Sequence, residues 1–141
     1  NSAFPEGSPN RIKQKQMQAG TETAYALAKK YRIRTAFGTD ALFSEEQAVK
    51  QGPMLATLSR WYTNAEILRM VTADNAELLA LSGARNPYPG KLGVVEAGAL
   101  ADLILVDGDP LANINLLAEP ARNLLVIMKD GVVYKNALSP R

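Results

Sequence analysis

One acid stands where an apolar run stops. In the stretch TAFGTDALF, residues 35–43, Asp40 follows Gly38 and Thr39. A carboxylate at a strand end can move protons in a reaction. It can equally be a turn or helix-cap residue, a common place for aspartate. The chain gives it few chemical companions, for it contains no histidine and no cysteine. The commonest general base and commonest metal ligand are therefore both missing. Disulfides and zinc–thiolate sites are excluded with them.

The other chemistry-bearing side chains have plainer readings. Asp107, Gly108, Asp109 and Pro110 resemble the start of a calcium loop but lack the remaining ligands, and a turn is expected there. Asp102, just before LILV, is expected to be a polar residue at a strand end. Asp74 and Glu77 fall where a helix is expected to begin, which suits acids. Glu45 and Glu46 follow Asp40 closely, either lining a pocket or lying on a solvated helix face. Trp61 and Tyr62 are expected to pack. Arg11, Lys13, Lys15 and the later lysines have no interleaved aromatics and form a solvated helix face, not a nucleic-acid patch.

Several elements must position these residues. Ser8 can cap a helix and Pro9 suits its first position. The spacing of Ala24, Leu27, Ala28 and Tyr31 then predicts a helix over 9–31 with those residues on its buried face. Residues 33–38, IRTAFG, are rich in strand formers. Alternation puts Ile33, Thr35 and Phe37 on one face, with Arg34, Ala36 and Gly38 on the other, where Asp40 would continue. Ser44 and Gln47 suggest a capping box for a helix to about Lys50, ended by Gly52 and Pro53. Residues 54–62 predict a further helix. Thr63 and Glu66 form a second capping box, opening a helix with Ile67, Leu68 and Val71 inward. A separate helix follows over 72–83, closed by Gly83. NPYPG, residues 86–90, is the expected boundary between a segment 1–85 and a segment 86–141. Beyond it, ADLILVDG predicts a strand. LLVIMKDGVVYKN predicts a hairpin turning on Asp130 and Gly131.

The bulk properties suit a globular protein. Of 141 residues, 47% are hydrophobic and 21% charged, with a formal charge of +2. That charge gives no argument for nucleic acid or a membrane surface. No apolar run approaches the ~20 residues of a membrane span. The first residues are polar and turn-rich, with no visible signal peptide, and the compartment stays open. The abrupt start in loop-like sequence suggests part of something larger.

Four stretches occur together in a telling order: AKKYRIRTAFGTD, EILRMVTADNAELLAL, GKLGVVEAGALADLILVDGDPL and VIMKDGVVYKN. In that order the chain resembles the C-terminal third of a metal-dependent amidohydrolase, nearest the imidazolonepropionase-like and Xaa-Pro dipeptidase-like (prolidase) branch. The resemblance covers about residues 17–136. It implies an α/β fold: the C-terminal part of a (β/α)8 barrel, comprising the last strand and closing helices. A small antiparallel sheet from a composite β-sandwich would follow. Residues 32–40, RIRTAFGTD, would be the last barrel strand, with Asp40 at its C-terminal end, where such barrels carry their sites.

The same resemblance implies a role for Asp40. It would contact zinc or another divalent metal and handle protons for an attacking water, in hydrolysis of C–N bonds in amides, dipeptides or cyclic amides. The family's histidines and bridging lysine belong upstream of these stretches. This chain alone is therefore expected to be inactive and to bind no metal, and whether it is itself an enzyme stays open. Its expected partner is the N-terminal barrel segment, or a further copy of itself, with a small-molecule substrate in the complete enzyme. The alternative is a non-catalytic oligomerisation or interaction module built from the same ancestry.

Overall fold

Ser8 starts the first helix. A computed structural model describes residues 3–138 and forms two compact units, Asn1–Thr35 and Ala36–Arg141. In the first unit, α1 runs Pro9–Lys30. The Ser8 hydroxyl accepts the Arg11 N–H at 3.2 Å, satisfying one of the free donors of the first turn. Pro9 holds the first helical position, where its missing N–H costs nothing. Lys29 and Lys30 lie in the last turn, against the negative end of the dipole. Beyond it Arg32 turns left-handed, with φ 52°.

The expected buried face of α1 is only partly buried. Ala28 is buried, but Leu27 and Tyr31 are 45% and 63% exposed, and Ala24 is exposed. Among its described residues the first unit has no second helix or strand for the rest of that stripe to pack on. The basic face behaves as expected. Arg11 pairs with Glu6 at 3.3 Å, and Lys15 pairs with the same carboxylate.

The second unit begins in irregular chain. Residues 33–40 form no strand, contrary to expectation, because no described strand lies beside them to exchange hydrogen bonds. The alternation survives in the burial: Phe37 and Thr39 are half-buried, whereas Ala36, Gly38 and Asp40 are exposed.

Four short helices follow. α2 is Glu45–Ala48, capped by Ser44, whose hydroxyl accepts the Gln47 N–H at 3.2 Å. α3 is Gln51–Ala56 and contains Gly52 and Pro53, which were expected to break a helix. Pro53 sits in the first turn, where no N–H is needed. A Cβ on Gly52 would lie 2.0 Å from the Leu117 carbonyl oxygen, so glycine permits the close approach of this helix to a 3₁₀ turn at Ile114–Ala118. The helix expected over 54–62 is divided between the end of α3 and a 3₁₀ turn, Thr57–Arg60.

α4, Asn64–Arg69, opens with the predicted capping box. The Glu66 carboxylate accepts the Thr63 N–H at 2.7 Å, and the Thr63 hydroxyl accepts the Glu66 N–H at 3.3 Å. No new helix starts at Thr72. The chain passes through a π turn, Met70–Asp74, straight into α5, Asn75–Ala80. Asp74 precedes the first residue of α5 and Glu77 lies in its first turn, as expected, although the helical run continues from α4 without a break. Asp74 pairs with Arg69 at 3.2 Å. Gly83 takes φ 55° after α5, the left-handed geometry expected of a helix end. The NPYPG stretch is irregular chain within this unit.

A three-stranded antiparallel sheet ends the chain: β1 Leu103–Val106, β2 Leu124–Lys129 and β3 Val132–Asn136, with β2 in the middle. Lys129 pairs with Val132 across Asp130 and Gly131, which have φ 48° and 77°. Two positive φ values make the type I′ turn that the dipeptide predicted. A short helix α6, Pro120–Asn123, leads into β2.

The core of this unit gathers Leu55, Ala56, Leu58, Ile67, Met70, Ile114 and Leu124. Helices thus pack on the turn at 114–118 and the start of β2. Much apolar surface stays outside it. Phe43, Leu81 and Val95 are almost fully exposed, and the apolar residues of β1 and β3 are about half exposed.

Candidate functional site

Asp40 closes the 33–40 segment in the left-handed region, φ 51°. Aspartate tolerates that geometry better than most residues. Its carbonyl accepts the Leu42 N–H at 2.9 Å, so the chain turns sharply at Ala41. Phe43 takes φ 57°, and Ser44 then caps α2. Two left-handed residues within four positions thus turn the chain from its extended run into a helix. The Asp40 carboxylate points to solvent and forms no ion pair among the described residues. A Cβ on Gly38 would meet nothing within 4 Å, so the space beside it is open.

The segment before Asp40 is fixed from one side. Asn75, first residue of α5, reaches across to Phe37. Its Oδ1 accepts the Phe37 N–H at 2.8 Å, and its Nδ2 donates to the Phe37 carbonyl at 3.1 Å. A carboxamide carries one donor side and one acceptor side, as a peptide group does. Here it satisfies both polar groups of one residue, the task a neighbouring strand would otherwise perform. Sequence reasoning missed Asn75. Its signal was an asparagine in a run of good helix formers, where its side chain competes with the helix backbone.

The remaining expected residues separate from this place. Glu45 is exposed, and Glu46 is exposed and paired with Lys50. The Lys50 ammonium lowers the Glu46 pKa through its hydrogen bond and its charge. Asp102 accepts the Asp130 N–H at 2.7 Å and ties the hairpin turn to the start of β1, as expected of a strand-end polar residue. Asp109 accepts the Leu111 N–H at 2.8 Å, a local turn bond as expected. Trp61 is half-buried with the Arg60 guanidinium 4.7 Å above its ring. In the first unit a shallow hollow lies between Phe4 and the α1 residues Asn10, Lys13, Met17 and Thr21, with no acid in its lining.

Among the described residues, no three acids lie close enough together to hold a metal ion. One carboxylate does not make a zinc site, which takes at least three protein ligands. By itself this donor set does not fit a catalytic metal. Asp40 has the chemistry of one contributor to such a set.

The profile of the Amidohydrolase family matches residues 10–133. Three solved structures are similar at 26–29% identity. An amidohydrolase superposes with TM-score 0.70 at 29% identity, over 83% of this chain and 26% of its own. An uncharacterised protein gives 0.67 at 26% identity, over 81% of this chain and 26% of its own. A prolidase solved with N-methylphosphonate-L-proline gives 0.66 at 26% identity, with the same coverage. The chain thus spans about a quarter of the length of these solved chains. No curated protein matches it.

Proposed function

The chain belongs to the amidohydrolase family, and from that premise we propose that it is the C-terminal part of a metal-dependent hydrolase of C–N bonds. The observation that carries this reading is the coverage. The match runs through nearly all of this chain yet takes in only 26% of each solved neighbour. The exposed apolar residues of β1, β3, Phe43 and Leu81 agree with it, since surface of this kind is ordinarily covered. In this reading residues 1–85 are the closing part of a (β/α)8 barrel, and residues 86–141 are its share of a β-sandwich. Residues 33–40 become the last barrel strand, with neighbouring strands supplying the hydrogen bonds that Asn75 does not.

Asp40 is the residue proposed to act. At the C-terminal end of that strand it would contribute one carboxylate to the metal site, with histidines supplied from outside this chain. The metal, when bound, acidifies its water to a pKa of about 7. With the metal held by histidines from outside this chain, Asp40 would be placed to hold the water and to carry its proton to the leaving amine. Its open setting at the strand end leaves room for a substrate. Dipeptides ending in proline are the substrates to try first, since one similar structure is a prolidase bound to a proline phosphonate.

Native mass spectrometry of the purified material is the first test. A larger, metal-carrying assembly supports the reading. A larger assembly that forms but carries no metal overturns it in favour of a non-catalytic module. In the metal-carrying assembly, Asp40→Asn should lower turnover of an Xaa-Pro dipeptide by about 10²–10⁴-fold, the usual worth of a proton-transfer residue. Retained turnover would remove Asp40 from the site.

A further inference from the structure

We infer that Asn75 is a positioning residue that sets where Asp40 stands, an inference that rests on the role proposed for Asp40. The two-point bond between Asn75 and the Phe37 peptide is a side chain from a helix start pairing with extended backbone 38 residues earlier. Both of its bonds have good length, and Asn75 and Phe37 are both half-buried, so water competes weakly for them. Three Cα steps lead from Phe37 to Asp40, at most about 11 Å of chain. Alternation then dictates the rest. With the Phe37 peptide held and its side chain turned inward, Thr39 follows inward and Gly38 and Asp40 emerge on the open side. Asn75 therefore fixes both the height and the facing of the carboxylate without touching it.

The support for Asn75 is itself firm. It lies immediately after the π turn, and its own N–H donates to the Met70 carbonyl. Met70 is 3% exposed and Ile67, one turn before it, is fully buried. The clamp is thus anchored in the best-packed part of the second unit.

The test has two readouts. Amide hydrogen exchange is measured by NMR on the 141-residue chain and on Asn75→Ala, Asn75→Asp and Asn64→Ala. The last deletes another carboxamide-to-backbone bond, from Asn64 to the Leu111 carbonyl at 2.9 Å. Asn75→Ala should raise Phe37 amide exchange at least tenfold while the Ile67 and Met70 amides keep their protection. Asn75→Asp keeps the acceptor and should preserve most of the Phe37 protection. Asn64→Ala should leave residues 37–40 unchanged. Unchanged Phe37 exchange in Asn75→Ala overturns the inference, as does equal loss at Ile67 and Met70. In the metal-carrying assembly, Asn75→Ala should lower kcat at least tenfold with KM within twofold. If Asp40→Asn stops turnover but Asn75→Ala does not lower kcat, the positioning role falls and the role of Asp40 stands. If Asp40→Asn keeps turnover, the role of Asp40 falls, and the positioning inference with it, whatever the exchange data show.

Discussion

Asp102 holds Asp130: the carboxylate before β1 accepts the backbone N–H of the hairpin's turn residue at 2.7 Å. Gly131 donates from the same turn to the Ala101 carbonyl at 3.1 Å. Two successive N–H groups of a tight turn are thus tied to two successive residues leading into the edge strand. Asp102→Ala removes a charge-assisted bond and should cost about 1.5–3 kcal/mol of folding stability. Urea unfolding checks this. Asp102→Ala should leave metal content and turnover of the assembly unchanged, because its work is structural. A loss of metal with intact folding would contradict that.

Gly52 should tolerate no side chain. A methyl group there would sit 2.0 Å from the Leu117 carbonyl oxygen, and neither backbone has room to yield. Gly52→Ala should lower stability by about 1–3 kcal/mol despite alanine's better helix propensity. A thermal melt that rises instead would show that α3 does not lie against residues 114–118.

Ile67 is the deepest side chain of the second unit, with none of its surface exposed. Ile67→Ala should cost about 2–5 kcal/mol. The capping box just before it is worth less, and Thr63→Ala should cost about 1 kcal/mol. The order of the two variants in a denaturant series is the check. Equal losses would place the weight on helix initiation rather than on packing.

Glu6 should titrate low. Its hydrogen bond to Lys15, and next that to Arg11, lower its pKa from the ordinary carboxylate value. Because the folded value lies below the unfolded one, the contribution is present above the ordinary carboxylate pKa. It is lost as pH falls through the lowered folded value. The group is fully exposed, so salt should weaken the effect. Carboxyl NMR titration should show Lys15→Gln raising the Glu6 pKa, and no change would mean the pair does not persist in solution.

The most local signals in the sequence were the most legible. Ser8 with Pro9, Thr63 with Glu66, and Asp130 with Gly131 each describe a complete hydrogen-bonding or dihedral solution within a few residues. Each forms as written. Gly52 and Pro53 misled because their meaning depends on distant or positional facts: a carbonyl 65 residues on, and a place in a first helical turn. Residues 33–38 have strand formers and strand alternation, but a strand also needs a partner ladder, and none lies beside them among the described residues. The position of Asp40 at the end of that run was legible. The brace on it was not, because Asn75 looks like an unfavourable helix residue until Phe37 is seen opposite it.

The π turn at Met70–Asp74 acts as a phase shifter. An α-helix advances about 100° per residue, and a π turn accommodates one residue more than an α turn does. Deleting one residue from 70–74 would give a smoother, better-bonded helix. Forcing all of residues 70–74 into regular α geometry without a deletion would instead turn everything after them by some tens of degrees about the axis, carrying the Asn75 carboxamide off the Phe37 peptide. The irregularity keeps two requirements in step: Ile67 and Met70 stay turned into the core while Asn75 meets the segment that ends in Asp40.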